Sequence, residues 1–416
     1  MMKLIGKALF AMAIAISFAM PANAQKTIKL GALATLEGAF TVLGEDGMRG
    51  VKMALAEFGG KAGGKKIELI TGSSDASPDS AIRATRKLVE QDGVPILIGP
   101  LSGSEGLAVK DYAKTKPNVT FINGTSAAQD TTLRKYASNF FRFSTDGAQW
   151  MAGLGEYAYK TKGYRSVAVL AEDYSFPYTQ VFGFLEPFCR MGGKAPVKAR
   201  FWVPIGNKDY SSVIAALPDD VDAIYVALGG ADAVNFLTQY EQAGGSLPLI
   251  GGSITVDQTV LGSKGKIRQS VIGTPSAGPI SDTSTSDDWK QFVEAYKKQF
   301  PKGFPSPSLF AHGYYINTKA ALLALNKVKG DLSDGGKKYR AALSKLKFKT
   351  PTGMVSLDER RQAIADIYLT EVVQGKGGNL VNKTIKVIPQ VNQTLGVPYE
   401  EFLKYGPVGR ENPKCG

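Results

Sequence analysis

Among 416 residues there are one histidine, two cysteines and three tryptophans, and past residue 24 no apolar run is long enough to enter a membrane. A single histidine, His312, leaves at most one candidate for a Ser–His triad or an imidazole-bound metal. It lies in an aromatic, helix-forming stretch (LFAHGYY), where a structural role is the simpler reading. The spacing of Cys189 and Cys415 excludes a C-x-x-C redox pair. No H-E-x-x-H, G-x-S-x-G or calcium-loop pattern occurs. Residues 59–66 (GGKAGGKK) imitate a phosphate loop, but Lys66 stands where Ser or Thr is required, and the segment follows a helix instead of a strand. It reads as a helix cap and turn. No cofactor and no metal are expected.

Acidic residues are the scarcer charge, 37 against 50 basic ones, for a net +13. The basic residues are dispersed, with no run longer than Lys-Lys or Arg-Arg and no basic amphipathic helix. This predicts a solvated cationic surface and no nucleic-acid partner.

What is present begins with an export signal. Lys3 and Lys7 precede an apolar core at residues 8–20, and Ala22-Asn23-Ala24 forms an A-x-A cleavage site. The core is shorter than the roughly 20 residues a spanning helix needs. Gln25, not cysteine, follows the cleavage site, so no lipid anchor is expected. Residues 1–24 are thus read as a cleavable signal peptide and the remainder as a soluble exported protein. In an oxidising compartment Cys189 and Cys415 are expected to pair, stapling the C-terminus to the second half of the chain; two independent thiols are the alternative.

The mature chain exceeds one comfortable hydrophobic core, so two domains are expected. Short β-rich runs alternate with amphipathic, helix-length runs. Strands are predicted at 28–34, 66–71, 95–98 and 119–122, with helices at 47–58, 78–91 and 104–114 between them. The pattern restarts after Arg142: helices at 148–160, 176–191 and 231–243, and strands at 166–171, 197–202, 223–227, 247–250 and 271–273. Residues 276–286 read as a polar connection, followed by helices at 287–300 and 308–327. A strand pair is placed around 352–355 and 365–373, and an extended tail from 389. Two successive sets of βαβ units predict an α/β protein with two doubly wound parallel-sheet lobes.

Two strand-to-turn segments carry chemistry. ILIGPLSGSEG (96–106) runs into a turn that opens a helix, where Ser102, Gly103 and Ser104 offer hydroxyls and free N–H groups to a carboxylate. TFINGTS (120–126) repeats this on a nearby strand end with Asn123, Gly124 and Thr125. In open parallel sheets ligands lie outside the carboxyl ends of strands. The second half supplies EDYSFPY (172–178), with Tyr174, Phe176 and Tyr178, and glycine-rich ends at LGGAD (228–232) and IGGSITV (250–256). Together these read as an amphipathic slot for a small solute.

With those elements in place, the chain resembles the periplasmic solute-binding proteins of ABC importers, and more narrowly the branched-chain amino-acid (leucine-binding, type I) family. The resemblance spans essentially the whole mature chain. It rests on the order of LGALATLEGAFTVLGEDGMRGVKMAL, LIGPLSGSEGLAV, TFINGTSAAQDTT, FRFSTDGAQ and VAVLAEDYSFPYTQ. It implies a clamp of two lobes joined by three crossovers, near Arg142, Thr274 and Gly353. Lobe 1 would hold 25–143 and 275–352, lobe 2 would hold 144–274 and 353–388, and a tail 389–416. It further implies a ligand carboxylate held by the turns at 102–104 and 123–125. Aromatics matching Phe176 and Phe310 would flank the ligand, and Leu43 falls where a tyrosine often sits. The partners implied are ABC permease subunits in the inner membrane, with the binding protein itself a periplasmic monomer.

The sequence also departs from the amino-acid pattern. Where amino-acid binders carry an acid for the α-ammonium, this chain has Gly251-Gly252-Ser253, with Asp232 and Asp257 as possible substitutes. No bulky aromatic stands near Gly229 and Gly230, which predicts room. The expected ligand is a small amino acid or, given these departures, an aromatic or other organic carboxylate. A ligand-sensing receptor partner is the alternative function, and an exported serine hydrolase built on Ser102 or Ser104 is a third.

Overall fold

A computed structural model of the chain describes residues 27–263 and 269–415. The proposed signal peptide lies outside the described residues.

The first sheet takes β1 (Ile28–Thr35), β2 (Lys61–Ala62), β3 (Lys65–Ser74), β4 (Ile96–Ile98), β5 (Thr120–Ile122) and β6 (Phe140–Phe141), in the order β2-β3-β1-β4-β5-β6. All pairs but β2–β3 are parallel. The strands β4 and β5 are fully buried runs (ILI and TFI), as expected where helices cover both faces. The glycine-rich stretch at 59–66 is a helix end followed by a tight hairpin. Lys61 pairs with Lys66 across Gly63 and Gly64, whose φ of 59° and 74° suit the two-residue turn.

The second sheet takes β7 (Val167–Glu172), β8 (Arg200–Val203), β9 (Ala223–Ala227), β10 (Leu249–Gly251), β11 (Pro275–Gly278), β12 (Lys347–Thr350), β13 (Gly353–Leu357), β14 (Ala363–Gln374) and β15 (Leu380–Val391). Strands β8-β7-β9-β10-β11 are mutually parallel. The strands from β12 to β15 run antiparallel to their neighbours and extend the sheet beyond β11. The fold is therefore α/β with two lobes and parallel-dominated sheets. The chain passes between them three times: after β6, after β11, and again before β12.

Several elements differ from the sequence reading. The strand expected at 271–273 forms at Pro275–Gly278, inside the segment read as a connection. Its small residues lack β-propensity, and pairing with Gly251 on one side and Thr370 on the other holds them extended. The long strand β15 was not foreseen; Lys and Asn interrupt its apolar residues, as suits an edge strand. The helix expected at 148–160 is two, Gly147–Trp150 and Leu154–Lys160, separated at Gly153, which sits at φ 81°. The helix expected from 47 starts at Thr41.

Cys189 and Cys415 are bonded, with Cα atoms 5.4 Å apart. The tail is also held by Phe402 against Phe182, by Tyr405 donating to Glu186 at 2.8 Å, and by the Arg410–Asp173 ion pair. Among the described residues no helix is long and apolar enough to cross a membrane.

Candidate functional site

The turn after β4 is built around Ser102, which caps the helix Gly103–Ala113. Its Oγ accepts from Glu105 N (3.3 Å) and donates to Ala76 O (3.0 Å), while Glu105 Oε2 accepts from Ser102 N (2.8 Å). This capping box leaves the first-turn N–H groups of Gly103 and Ser104 without intrahelical acceptors. The helix lies against the second turn so closely that a Cβ on Gly106 would overlap Ser126 Oγ. In that turn Asn123 Nδ2 donates to Ser126 O (2.9 Å) and Ser144 Oγ (3.0 Å), and Gly124 O accepts from Asn317 Nδ2 (2.9 Å). Thr125 N donates to Pro100 O at 3.1 Å, but Thr125 Oγ1 is buried with no partner.

From the other lobe the helix Ser175–Arg190 points its own N-terminus at the same place. Ser104 Oγ and Ser175 Oγ are 3.1 Å apart, and Gly103 has no room for a Cβ against Phe176. Two positive helix ends from opposite lobes therefore converge, an arrangement suited to an anion.

Between them is a narrow, nearly closed cavity of about 10 Å³. The structure brings Ser102, Gly103, Thr125, Tyr174, Phe176 and Phe310 together in its wall, joined by Phe40, Leu43, Leu101, Trp150 and Ile254. Five of these side chains are aromatic and none carries a charge. Trp150 meets Phe176 edge-on at 5.5 Å, and Tyr174 lies 6.1 Å from Phe40. Trp150 is oriented by its Nε1–H, which donates to Thr145 Oγ1 at 2.8 Å. The Tyr174 hydroxyl is withdrawn from water beside Glu172, which raises its pKa well above the usual range.

The other predicted residues stand elsewhere. Ser104 is beside the cavity, against Ser175. Asn123 and Gly124 shape the turn from behind, and a Cβ on Gly124 would strike the Tyr314 ring. Tyr178 faces away, with its ring on Trp202 at 4.9 Å and its hydroxyl on Asp173. Ser253 Oγ accepts from Gln180 Nε2 at 2.7 Å and opens onto a different depression with Ser276 and Gly278. The room expected at Gly230 is filled from the opposite lobe: a Cβ there would stand 2.9 Å from Ala39 O and 3.6 Å from the Phe40 ring.

The carboxylates considered for an ammonium are also committed. Asp232 accepts from Gly206 N (2.7 Å), and Asp257 accepts from Leu309 N (2.8 Å) and Thr259 Oγ1 (2.8 Å). Burial pushes their pKa values up to about 6 and about 7. Glu172 accepts from Gly229 N at 2.9 Å and is likewise raised by burial. None of the three lines the cavity.

Sequence reasoning missed Phe40, Leu101, Trp150 and Ile254. Phe40 and Trp150 lie within the blocks AFTVLG and STDGAQW and were visible as aromatics, but no local pattern marks which face they take.

Residues 27–379 match the family model described as periplasmic binding protein. The chain is 27% identical over 338 residues to Leu/Ile/Val-binding protein homolog 7 of Brucella abortus (strain 2308), covering 78% of this chain and 83% of that protein. Among solved structures it resembles an ABC transporter substrate-binding protein from Sphaerobacter thermophilus, at 28% identity and TM-score 0.79 over 88% of this chain and 99% of that one. It also resembles a solute-binding protein of an ABC transporter from Rhodopseudomonas palustris BisB5, solved with 3,4-dihydroxybenzoic acid, at 27% identity and TM-score 0.80 over 88% and 98%.

Proposed function

The chain belongs to the periplasmic binding protein family, as a substrate-binding protein of the branched-chain amino-acid type, and from that premise we propose that its ligand is an aromatic or similar organic carboxylate without an α-ammonium. One observation carries this reading: the inter-lobe cavity combines five aromatic side chains, two helix N-termini and an unpartnered hydroxyl with no charged side chain at all. The first-turn N–H groups of both helices and Thr125 Oγ1 would take the carboxylate, and Phe40, Trp150, Tyr174, Phe176 and Phe310 the ring. An ammonium brought into this wall would lose water without gaining a counter-charge, at a cost of several kcal/mol. The Rhodopseudomonas relative, solved with a dihydroxybenzoic acid, supports the same class.

In this reading the signal at 1–24 is cleaved and the protein works in the periplasm as a monomer. Because β11 and β12 belong to the second sheet, the lobe boundaries expected at 274/275 and 352/353 move, and the lobes are assigned as 25–143 with 279–346 and 144–278 with 347–391, leaving 392–416 as the tail. The contact between Gly103 and Phe176 means that the lobes must part to admit ligand. Ligand then favours the closed form, which is presented to membrane permease subunits. We assign no catalytic role. Ser102 is spent on its helix cap, and His312 bonds to Thr352, so a nucleophile–base pair has no support.

A thermal-shift panel on the mature chain, unfolded and refolded to strip bound solute, tests the class. A ligand at about 100 times its Kd should add about 2.7 kcal/mol. Benzoates and related acids are expected to raise the midpoint; a response to leucine or valine with none to the acids overturns the reading.

A further inference from the structure

Behind the cleft lies a second cavity of about 20 Å³, room for one water-sized group, where the first two crossings meet the β12–β13 turn. Ser144 and Thr145 reach it from the first crossing, Pro279 from the second and Thr352 from the β12–β13 turn. It shares Thr125 and Trp150 with the cleft cavity, so the two compartments adjoin at these residues. His312, the chain's one histidine, faces it from the helix Leu309–Lys327.

The polar groups here are incompletely used. His312 Nε2 is 3.0 Å from Thr352 Oγ1, but its Nδ1 is buried without a partner, as is Thr125 Oγ1. Ser144 Oγ accepts from Asn123 Nδ2 (3.0 Å) and Asn317 Nδ2 (3.2 Å), which leaves its own proton to give. Native interiors seldom leave such groups unpaired. Asp366 also lines the cavity, so a second anion would meet like charge, whereas a neutral group that both donates and accepts would be matched.

Resting on the ligand class above, we propose that this compartment is a specificity subsite in which His312 and Ser144 recognise a neutral hydroxyl carried by the bound acid. The preferred ligand is then a hydroxylated carboxylic acid, oriented with its hydroxyl toward the crossings. The imidazole acts as a neutral hydrogen-bonding group, since full burial holds it unprotonated at physiological pH.

Calorimetric titration of the stripped mature protein with benzoate and its 2-, 3- and 4-hydroxy derivatives tests this. At least one hydroxy isomer is expected to bind about tenfold tighter than benzoate. His312→Phe is expected to bring that isomer down to the benzoate level, leaving benzoate itself within about twofold. Because this variant also loses the bond to Thr352, ¹⁵N NMR of the wild-type protein supplies an independent reading. Its single imidazole should show an Nδ1 shift on binding the preferred isomer and little on binding benzoate. Equal affinity for benzoate and every isomer, or an unmoved Nδ1, overturns the subsite while leaving the ligand class standing. Binding of leucine with no acid bound overturns both.

Discussion

The hydroxyl oxygens of Ser104 and Ser175 lie 3.1 Å apart, each in the first turn of a helix from a different lobe. The neighbouring Gly103 is the tightest point of that approach, because a Cβ would stand 2.8 Å from Phe176 Cβ and 2.9 Å from Phe176 N. Closure thus depends on a missing methyl group. Replacing Gly103 by Val should hold the lobes apart while each lobe keeps its own core. Overpacking of this kind costs about 1–3 kcal/mol, so affinity should fall by about tenfold or more. Small-angle scattering should find the ligand-saturated variant as expanded as the ligand-free one. A variant that still contracts on binding would mean that the helix ends slide past each other.

Ser102 and Thr125 both line the cavity, yet their hydroxyls do different work. Ser102 Oγ is engaged twice, as helix cap and as donor to Ala76 O, so Ser102→Ala should lose about 1 kcal/mol of unfolding free energy. Thr125 Oγ1 has no partner to lose. Thr125→Val should therefore leave stability nearly unchanged and weaken binding by about 1–3 kcal/mol, as for a hydrogen bond to a charged group. Urea unfolding and calorimetry on both variants separate the two effects. Equal stability losses would show that Thr125 is bonded within the fold.

These contrasts show how far the sequence could be read. Alternation of strand and helix patterns made the two lobes legible, and the small-residue turns at 102–104 and 123–125 were legible because strand ends feeding helix starts have a local signature. What was not legible depends on contacts far apart in the chain, some of them from the other lobe. Tyr178 and Phe176 sit two residues apart near the start of one helix, and their spacing alone sends them to different faces: Phe176 to the cleft, Tyr178 to Trp202 and Asp173. The absence of bulk at Gly230 read as room, but Phe40 from the opposite lobe occupies it. The fate of Ser253 was set by Gln180, which lies 73 positions away in the chain. Strand β15 was hidden for a similar reason, since an edge strand need not carry a clean alternation.

The tail is pinned at its end by the disulfide and along its length by separate contacts with Glu186, Asp173 and, through Arg134 donating to Gly406 O at 2.8 Å, the loop before β6. The native protein should show no reactive thiol in denaturant and two after reduction. Cys415→Ser should free only the last stretch of chain, because Phe402 still packs on Phe182 at 5.7 Å. Trypsin should then cut after Arg410 or Lys414 without releasing the segment before Lys404. Release of the whole tail would show that the disulfide, and not the aromatic packing, holds it.

Stability should carry the mark of one buried imidazole. His312 is enclosed by Trp289, Phe292 and Thr352, and burial pushes its pKa down to about 3 from an ordinary 6.5. The unfolded chain therefore takes up a proton below about pH 6.5 that the folded protein refuses. The contribution of the neutral imidazole is intact above pH 6.5 and lost progressively as pH falls toward 3. The loss is about 1.4 kcal/mol per unit, or about 2 kcal/mol by pH 5. Asp257 and Asp146, pushed up by burial to about 7 and about 6, act with the opposite sign, because their neutral forms suit the fold as pH falls. Total stability thus mixes the two, and a subtraction isolates the imidazole. His312→Gln can still bond to Thr352 but does not titrate. Between pH 8 and 6.5 the unfolding free energies of wild type and variant should run parallel, and from 6.5 down to 5 the wild type should fall relative to the variant by about 2 kcal/mol. Curves that stay parallel to pH 5 would mean that the imidazole is protonated within the fold, and a charged His312 would then face the cavity behind the cleft.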